Sequence, residues 1–386
     1  MGFDGAASEL HQVGPDGVSA TTTNPGYRAG IIGAGLIAGV HARAIRSTGG
    51  VVAAVAGADA EQSERAAREM GALRAAVDAQ DVLADPDVEV VHICTPNYLH
   101  VPFALAAIAA GKHVVCEKPL AMDVAGAEQV VAAAAAAGVT GVVPFAYRFH
   151  PMVREARELV RSGRTGPIHL VHGSYLQDWL LNTTDTNWRV DPQLGGRMRA
   201  FSDIGTHLCD LIEFTSGQRI VRVLASSKIA NPRRVAADGS TEVVRTEDIV
   251  TFQFELDQGA LGAAVVSQVS AGRKNRLFLE VSGSRSTLAF DQELPELLWE
   301  GRRETSQLRV RDPQTLSAAA LRYSRLPAGH AQGYQECFDS LVADTASAVA
   351  GTVRDGLPTF VDGLRMARVT DAVERSVATR SWVEVG

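Results

Sequence analysis

The chain is poor in cysteine, has no excess of basic residues and lacks any long unbroken apolar run. Its four cysteines, Cys94, Cys116, Cys209 and Cys337, form no C-x-x-C pair, which argues against a thiolate metal site. Cys94 and Cys116 fall inside apolar strand-like runs, where cysteine acts as a small buried hydrophobe, so free thiols in a reducing cytoplasm are expected. Lys and Arg total 37 against 44 Asp and Glu, a formal charge of -7, which disfavours nucleic acid or an anionic membrane as partner. The most apolar long segment, 130–143, is broken by Gly138 and Gly141 and is too short to cross ~30 Å of hydrocarbon, so no membrane span is expected. Residues 1–25 are rich in Gly, Ser, Thr and Asp and have neither a basic nor an apolar signal region, so they read as a disordered leader.

What is present is ordinary globular composition, 46% hydrophobic and 21% charged, over 386 residues. That length exceeds what one core usually serves and predicts two domains. In the first, the strand-like run 27–32 leads into Gly33-Ala34-Gly35-Leu36-Ile37-Ala38, a G-x-G-x-x-A match followed by a helical segment. Gly33 permits the tight turn, Gly35 lets the backbone approach a pyrophosphate, and the helix start at Leu36 and Ile37 offers unpaired N–H groups. A strand over 51–56, a helix over 60–70 and a strand over 88–94 complete a βαβαβ pattern. An acid about 20 positions beyond the glycines usually holds the ribose 2′-hydroxyl of NAD. Here the carboxylate comes at Asp59, which serves equally as a helix N-cap, while Gly57 and Ala58 leave room for the 2′-phosphate of NADP without an arginine beside it. Both cofactors stay open, and Asp59 favours NAD.

The next strand ends in Thr95-Pro96-Asn97-Tyr98-Leu99-His100, polar groups suited to the carboxyl rim of a cofactor-binding sheet, although His100 also reads as a surface histidine at a helix start. A later strand ends in Glu117-Lys118-Pro119, where proline stops strand pairing and leaves Lys118 at the rim. A helix over 124–137 and a strand over 139–145 close the first domain, with Arg148 at the junction.

The second half opens with a charged helix over 153–161 and a strand over 168–175. The loop 176–189 carries Trp179, Trp188 and Arg189, and its tryptophans can stack on a sugar or anchor a core. If Asp203 opens a helix over 203–215, His207 lies four residues on and shares its face, so a carboxylate and an imidazole can serve one reacting group. The same pair also reads as an N-cap with a partly buried histidine. Alternating strands over 220–299 predict a sheet with one covered and one polar face, the latter wet or a subunit interface, followed by helices over 334–350 and 359–378.

These segments, in this order, resemble the Gfo/Idh/MocA family of NAD(P)-dependent sugar and cyclitol oxidoreductases from Tyr27 onward. The resemblance implies an α/β protein: an N-terminal Rossmann domain, 26–147, with a doubly wound parallel sheet, then an α+β domain, 148–386, with an open, mostly antiparallel sheet used for homodimer or homotetramer contacts. It implies a catalytic set of Lys118, Asp203 and His207, and a carbohydrate or cyclitol substrate facing these residues with Arg148, Trp179, Trp188 and Arg189. The cofactor side comprises Gly33, Gly35, Leu36, Ile37, Asp59, Thr95, Pro96, Asn97, His100, Glu117, Lys118 and Arg148, with no metal. Gly57, acidic in many members, is the departure. His207 would exchange the hydroxyl proton and Lys118 would stabilise the oxygen's charge. The alternatives are a redox-neutral NAD-assisted epimerase, eliminase or glycosidase, a regulator without chemistry, and a metal hydrolase using Asp203, His207 and Asp210.

Overall fold

The computed structural model describes residues 27–235 and 238–386, and the expected leader lies outside them. The first half alternates strand and helix: β1 (Arg28–Ile32), α1 (Leu36–Ser47), β2 (Val51–Ala56), α2 (Ala60–Met70), β3 (Arg74–Ala75), α3 (Ala79–Ala84), β4 (Val90–Ile93), α4 (His100–Ala109), β5 (His113–Cys116), α5 (Val124–Ala137) and β6 (Gly141–Val142). Local chemistry sets several of these ends. Asp59 caps α2 and Asp123 caps α5 through their carboxylates, while Gly71 and Gly138 close the same helices in the left-handed conformation. The six strands form one parallel sheet in the order β3-β2-β1-β4-β5-β6, whose direction of winding reverses between β1 and β4. The strand expected over 139–145 is cut to Gly141–Val142, because Pro144 has no N–H to continue the ladder. The pair β3 and α3 was not expected. It is too short for periodicity, and Arg74 holds it by bridging Asp81 and Asp85.

The second half contains α6 (Pro151–Arg161), β7 (Ile168–Leu176), α7 (Pro192–Gly195), a π-helical turn (Phe201–Gly205), α8 (Thr206–Ser216), β8 (Ile220–Lys228), β9 (Arg233–Val235), β10 (Thr241–Val243), β11 (Ile249–Leu256), β12 (Leu261–Ser267), β13 (Arg276–Gly283), β14 (Thr287–Asp291), β15 (Leu297–Gly301) and β16 (Ser306–Val310). It closes with α9 (Ala318–Leu321), α10 (Tyr334–Val349), α11 (Phe360–Thr379) and β17 (Val383–Glu384). Nine strands form one sheet, β16-β15-β14-β13-β7-β12-β11-β8-β17, antiparallel except where β12 runs parallel to β7. The protein is thus α/β, with a parallel doubly wound sheet beside a mostly antiparallel one. The closing helices return to the first sheet: α10 packs on α1 and α11 on α5, so Phe338 and Leu341 share a core with Ala38, Ala42 and Ile45. On the opposite face, one apolar cluster runs from Val82 and Val130 into the second sheet at Phe252 and Leu279. Among the described residues no helix is long and apolar enough to cross a membrane, and all four cysteines are free and buried.

Candidate active site

The loops after β1 and β4 meet at the point where the winding reverses. Gly33 has φ +109°, and a Cβ there would lie 2.5 Å from the Cys94 carbonyl oxygen, so only glycine lets the two loops touch. Gly35 precedes α1 with open space around it, no side chain caps the helix and no acid sits in its first turn. Leu36 is 93% exposed. The first N–H groups of α1 therefore point at an open, electropositive seat for a pyrophosphate, with Thr95 and Pro96 at the end of β4 as its other wall. These residues fit a dinucleotide.

Asp59 is used as a cap: its Oδ1 accepts from Gln62 N at 2.7 Å. Gln62 in turn accepts from Ala58 N and occupies the space a side chain at residue 57 would need. Two expected cofactor residues are placed otherwise. The Asn97 amide, buried, donates to Gly195 O at 2.8 Å and so ties α7 to the rim of the parallel sheet. His100 is 1% exposed, not a surface residue, and its ring nitrogens lie 2.7 Å from Pro119 O and 3.0 Å from Thr95 O, pinning the two rim loops together.

Lys118, Asp203 and His207 converge across from that seat. Asp203 does not open the helix. It is the third residue of a π turn that precedes α8, a wider turn typical of functional sites. Two local features allow it. Gly205 leaves room for the Phe201 ring, which a Cβ would approach to 2.7 Å, and Glu247 accepts from Arg199 N and Phe201 N, both at 2.9 Å. Lys118 Nζ donates to Asp203 O at 2.9 Å and Oδ1 at 2.8 Å, Arg189 Nε reaches Oδ1 at 3.2 Å, and Gln268 Nε2 reaches Oδ2 at 2.8 Å. Burial pushes the Asp203 carboxyl up, but Lys118 and Arg189 outweigh it and hold it well below the usual carboxylate range.

His207 stands against Tyr147, Phe145 and Tyr175, with ring centroids 5.0, 5.7 and 6.4 Å away. Burial first, then the Lys118 ammonium, pushes its imidazole down to about 3, so the ring is neutral at ordinary pH. Its Nδ1 has no hydrogen-bond partner among the described residues. A polar chain leads outward from this aromatic wall. Tyr147 and Tyr175 share a 2.5 Å hydrogen bond, Tyr175 and Gln177 donate to Asn275 Oδ1, and Trp179 Nε1 donates to Gln177 Oε1 at 2.7 Å. Arg189 stacks over Trp188 at 4.4 Å while it binds Asp203, so both expected tryptophans are linked to the site. Arg148 is not placed at the reacting groups by any contact. Asp210 and Asp362 clasp its guanidinium and Phe214 lies beneath it, so it joins the turn after β6 to α8 and α11. Sequence reasoning missed Gln268, Glu247, Gln177, Asn275 and the three aromatics around His207, none of which stands in a motif.

Among the described residues, no group of three or more His, Cys, Asp or Glu could hold a metal ion. A seat for a dinucleotide facing a lysine, a carboxylate and a neutral imidazole is what hydride exchange at a C–OH group needs, and the fold and site together define a dinucleotide-dependent oxidoreductase. Residues 27–145 match the model of the oxidoreductase family with the NAD-binding Rossmann fold, and 153–289 that of the GFO/IDH/MocA C-terminal domain. The chain belongs to the Gfo/Idh/MocA family. It is 29% identical to a levoglucosan dehydrogenase of Pseudarthrobacter phenanthrenivorans, covering 86% of this chain and 88% of that protein. It is 31% identical to an inositol 2-dehydrogenase of Acidothermus cellulolyticus, covering 75% of this chain and 88% of that one. A solved levoglucosan dehydrogenase complex with NADH and levoglucosan superposes with a TM-score of 0.87 at 28% identity, over 93% of this chain and 99% of that one.

Proposed function

We propose that the protein oxidises a secondary hydroxyl of a sugar, sugar derivative or cyclitol, or reduces the corresponding ketone, with NAD as its hydride carrier. The convergence of Lys118 Nζ, Asp203 and neutral His207 at the rim of the dinucleotide-binding sheet carries this reading. The bound nicotinamide supplies the hydride acceptor or donor. His207 takes the hydroxyl proton, and the charges of Glu117 and Asp203 favour the imidazolium that results. Lys118 spends two of its three N–H donors on Asp203, leaving the third for the substrate oxygen as negative charge develops there. Asp203, fixed by Lys118, Arg189 and Gln268, holds the ammonium in place.

Trp179 and Trp188, both half-buried, supply apolar faces beside the polar groups of Gln177 and Arg189, a combination suited to a polyhydroxylated ring. The relatives named for levoglucosan and inositol support that class. For the ribose, Asp59 keeps its second carboxylate oxygen beyond the capping bond, and no arginine follows β2 directly, which favours NAD over NADP. The test is absorbance at the reduced-nicotinamide band, with NAD and NADP in parallel against inositols, aldoses and anhydrosugars. The expected outcome is a substrate-dependent rise with NAD, and a Trp179→Ala variant that raises KM more than it lowers kcat. Sugar turnover without any rise would sink the dehydrogenase reading.

We propose that the large sheet also joins copies of the chain. Leu170, Leu261 and Val265 lie 42%, 57% and 38% exposed on the face of the large sheet away from its helices, and the strand register sets Leu170 opposite Leu261. A second copy of the chain seated there gives a homodimer or homotetramer. Light scattering should return at least twice the chain mass, and a monomer at micromolar concentration would exclude it.

A further inference from the structure

Beneath the anion seat, four polar side chains from four separate segments form an unbroken file. Tyr27 OH lies 2.9 Å from His92 Nε2, His92 Nδ1 lies 2.8 Å from His41 Nδ1, and His41 Nε2 lies 3.0 Å from Glu117 Oε1. His41 and His92 are fully buried and Tyr27 is 2% exposed, so water does not satisfy them. Burying four polar groups in the heart of a parallel sheet costs free energy unless each bond is made. The bonds can be made in one direction only. The Glu117 carboxylate can only accept, so His41 Nε2 carries the proton it donates. At the other end, the Tyr27 hydroxyl has no second acceptor among the described residues, so it donates to His92 Nε2. With Nε2 accepting, His92 carries its proton on Nδ1 and donates it to His41 Nδ1, which must then be a bare acceptor. Both imidazoles are therefore neutral, and every donor points toward Glu117.

We propose that Tyr27, His92 and His41 form a polarised buried relay that holds Glu117 ionised and oriented beside Lys118 and His207, making His41 and His92 positioning residues for the reaction. Glu117 Oε2 accepts from Lys118 N at 3.2 Å, so the carboxylate that ends the relay is also bonded to the backbone of the lysine that faces substrate. The groups facing Glu117 are His41 from α1, Lys118 beside it, Cys94 after β4, Cys116 on β5, His100 from α4, His207 from α8 and Tyr334 from α10. Of these only Lys118 carries a fixed positive charge, and among the described residues the N–H from His41 is the one neutral side-chain donor on the carboxylate, beside the Lys118 backbone N–H. Burial pushes Glu117 up, and the His41 hydrogen bond leads the effects that bring it below its ordinary value. An ionised Glu117 in turn favours the imidazolium that His207 forms on taking a proton. The relay thus couples the centre of the sheet to the proton acceptor without touching substrate or cofactor.

The first test reads tautomers and is independent of turnover: 15N spectra of the full chain labelled at histidine, with His41→Gln and His92→Asn variants assigning the signals. At pH 7 the relay requires His92 as the neutral Nδ1–H form and His41 as the neutral Nε2–H form, and His92 in the Nε2–H form overturns it. The second test rests on the proposed dehydrogenase activity and uses His92→Val and His92→Asn. The valine removes the donor to His41, and should lower kcat ~10-fold, leave KM for NAD within about twofold and move the acid limb of the kcat profile to higher pH as Glu117 loses support. The asparagine carries an amide N–H close to the position of Nδ1–H and should restore most of kcat and the parent profile. A folded His92→Val enzyme with parent kcat and acid limb, or an asparagine variant no better than valine, overturns the proposal. If no carbohydrate is turned over, the tautomer spectra still decide the relay, so its failure and that of the functional reading are separable.

Discussion

Lys118→Ala and His207→Ala should each lower kcat by ~100-fold or more while the KM for NAD changes little. The reason lies in how few groups face the reacting oxygen. Lys118 holds the free ammonium N–H at that point, and its loss removes the donor aimed at the developing charge. The fold should survive, because Asp203 keeps Arg189 and Gln268 as partners and is not left as an unpaired buried charge. Lys118→Arg should not rescue, since a planar guanidinium cannot replace a point ammonium held between a backbone oxygen and a carboxylate. Removing Lys118 also removes the second-largest effect that lowers the His207 imidazole, so the residual activity of Lys118→Ala should show its acid limb at higher pH than the parent. Steady-state kinetics across pH check each point, and parent-like turnover in both alanine variants would overturn the assignment.

Stability should fall steeply as the pH drops below about 6.5, the ordinary value for histidine. Burial lowers His207 to about 3 and His150 to about 4, and lowers His92 and His100 in the same direction. In the unfolded chain these four take up protons near pH 6.5, whereas in the native state each does so only at lower pH. Their contribution is therefore fully present above pH 6.5 and is lost as pH falls toward the native values. Two carboxyls act with the opposite sign. Burial raises Asp210 to about 6, against the pull of Arg148, and Glu247 to about 7, against two backbone donors, so both bind protons in the native state before they would unfolded. The lowered histidines outnumber the two raised carboxyls, so as pH falls below 6.5 the unfolded chain takes up more protons than the native state and stability falls with it. The thermal midpoint should change little between pH 7.5 and 6.5 and be lower at pH 5.5, and a midpoint at 5.5 equal to or above that at 6.5 would contradict the burial of these rings.

Much of the architecture was written locally. Asp59 and Gly71 mark the ends of α2, and Asp123 and Gly138 those of α5, because caps act within one turn of the chain and need no partner from elsewhere. The G-x-G-x-x-A turn, the proline after Lys118 and the alternation in β11 are of the same kind: they predict a βαβαβ unit and a sheet with one covered face, while the doubly wound and mostly antiparallel arrangement is what the family resemblance implies. Lys118, Asp203 and His207 were named from the same short segments.

Only the tertiary structure decided how those groups are held. The helix expected to begin at Asp203 begins earlier as a π turn, because Glu247, more than 40 residues away, captures the N–H groups of Arg199 and Phe201. Gln268 reaches Asp203 from the end of β12, and Arg148, expected at the substrate, is claimed by Asp210 and Asp362. His41 and His92 look like isolated polar residues in apolar runs until the sheet sets α1 and β4 side by side. Caps, turns and periodicity depend on neighbours a few residues apart and are therefore legible in a linear chain. Partners far apart in the chain, from 46 residues for Phe201 and Glu247 to 214 for Arg148 and Asp362, meet only when the sheets close, and it is such partners that set the charge, tautomer and orientation of the catalytic groups.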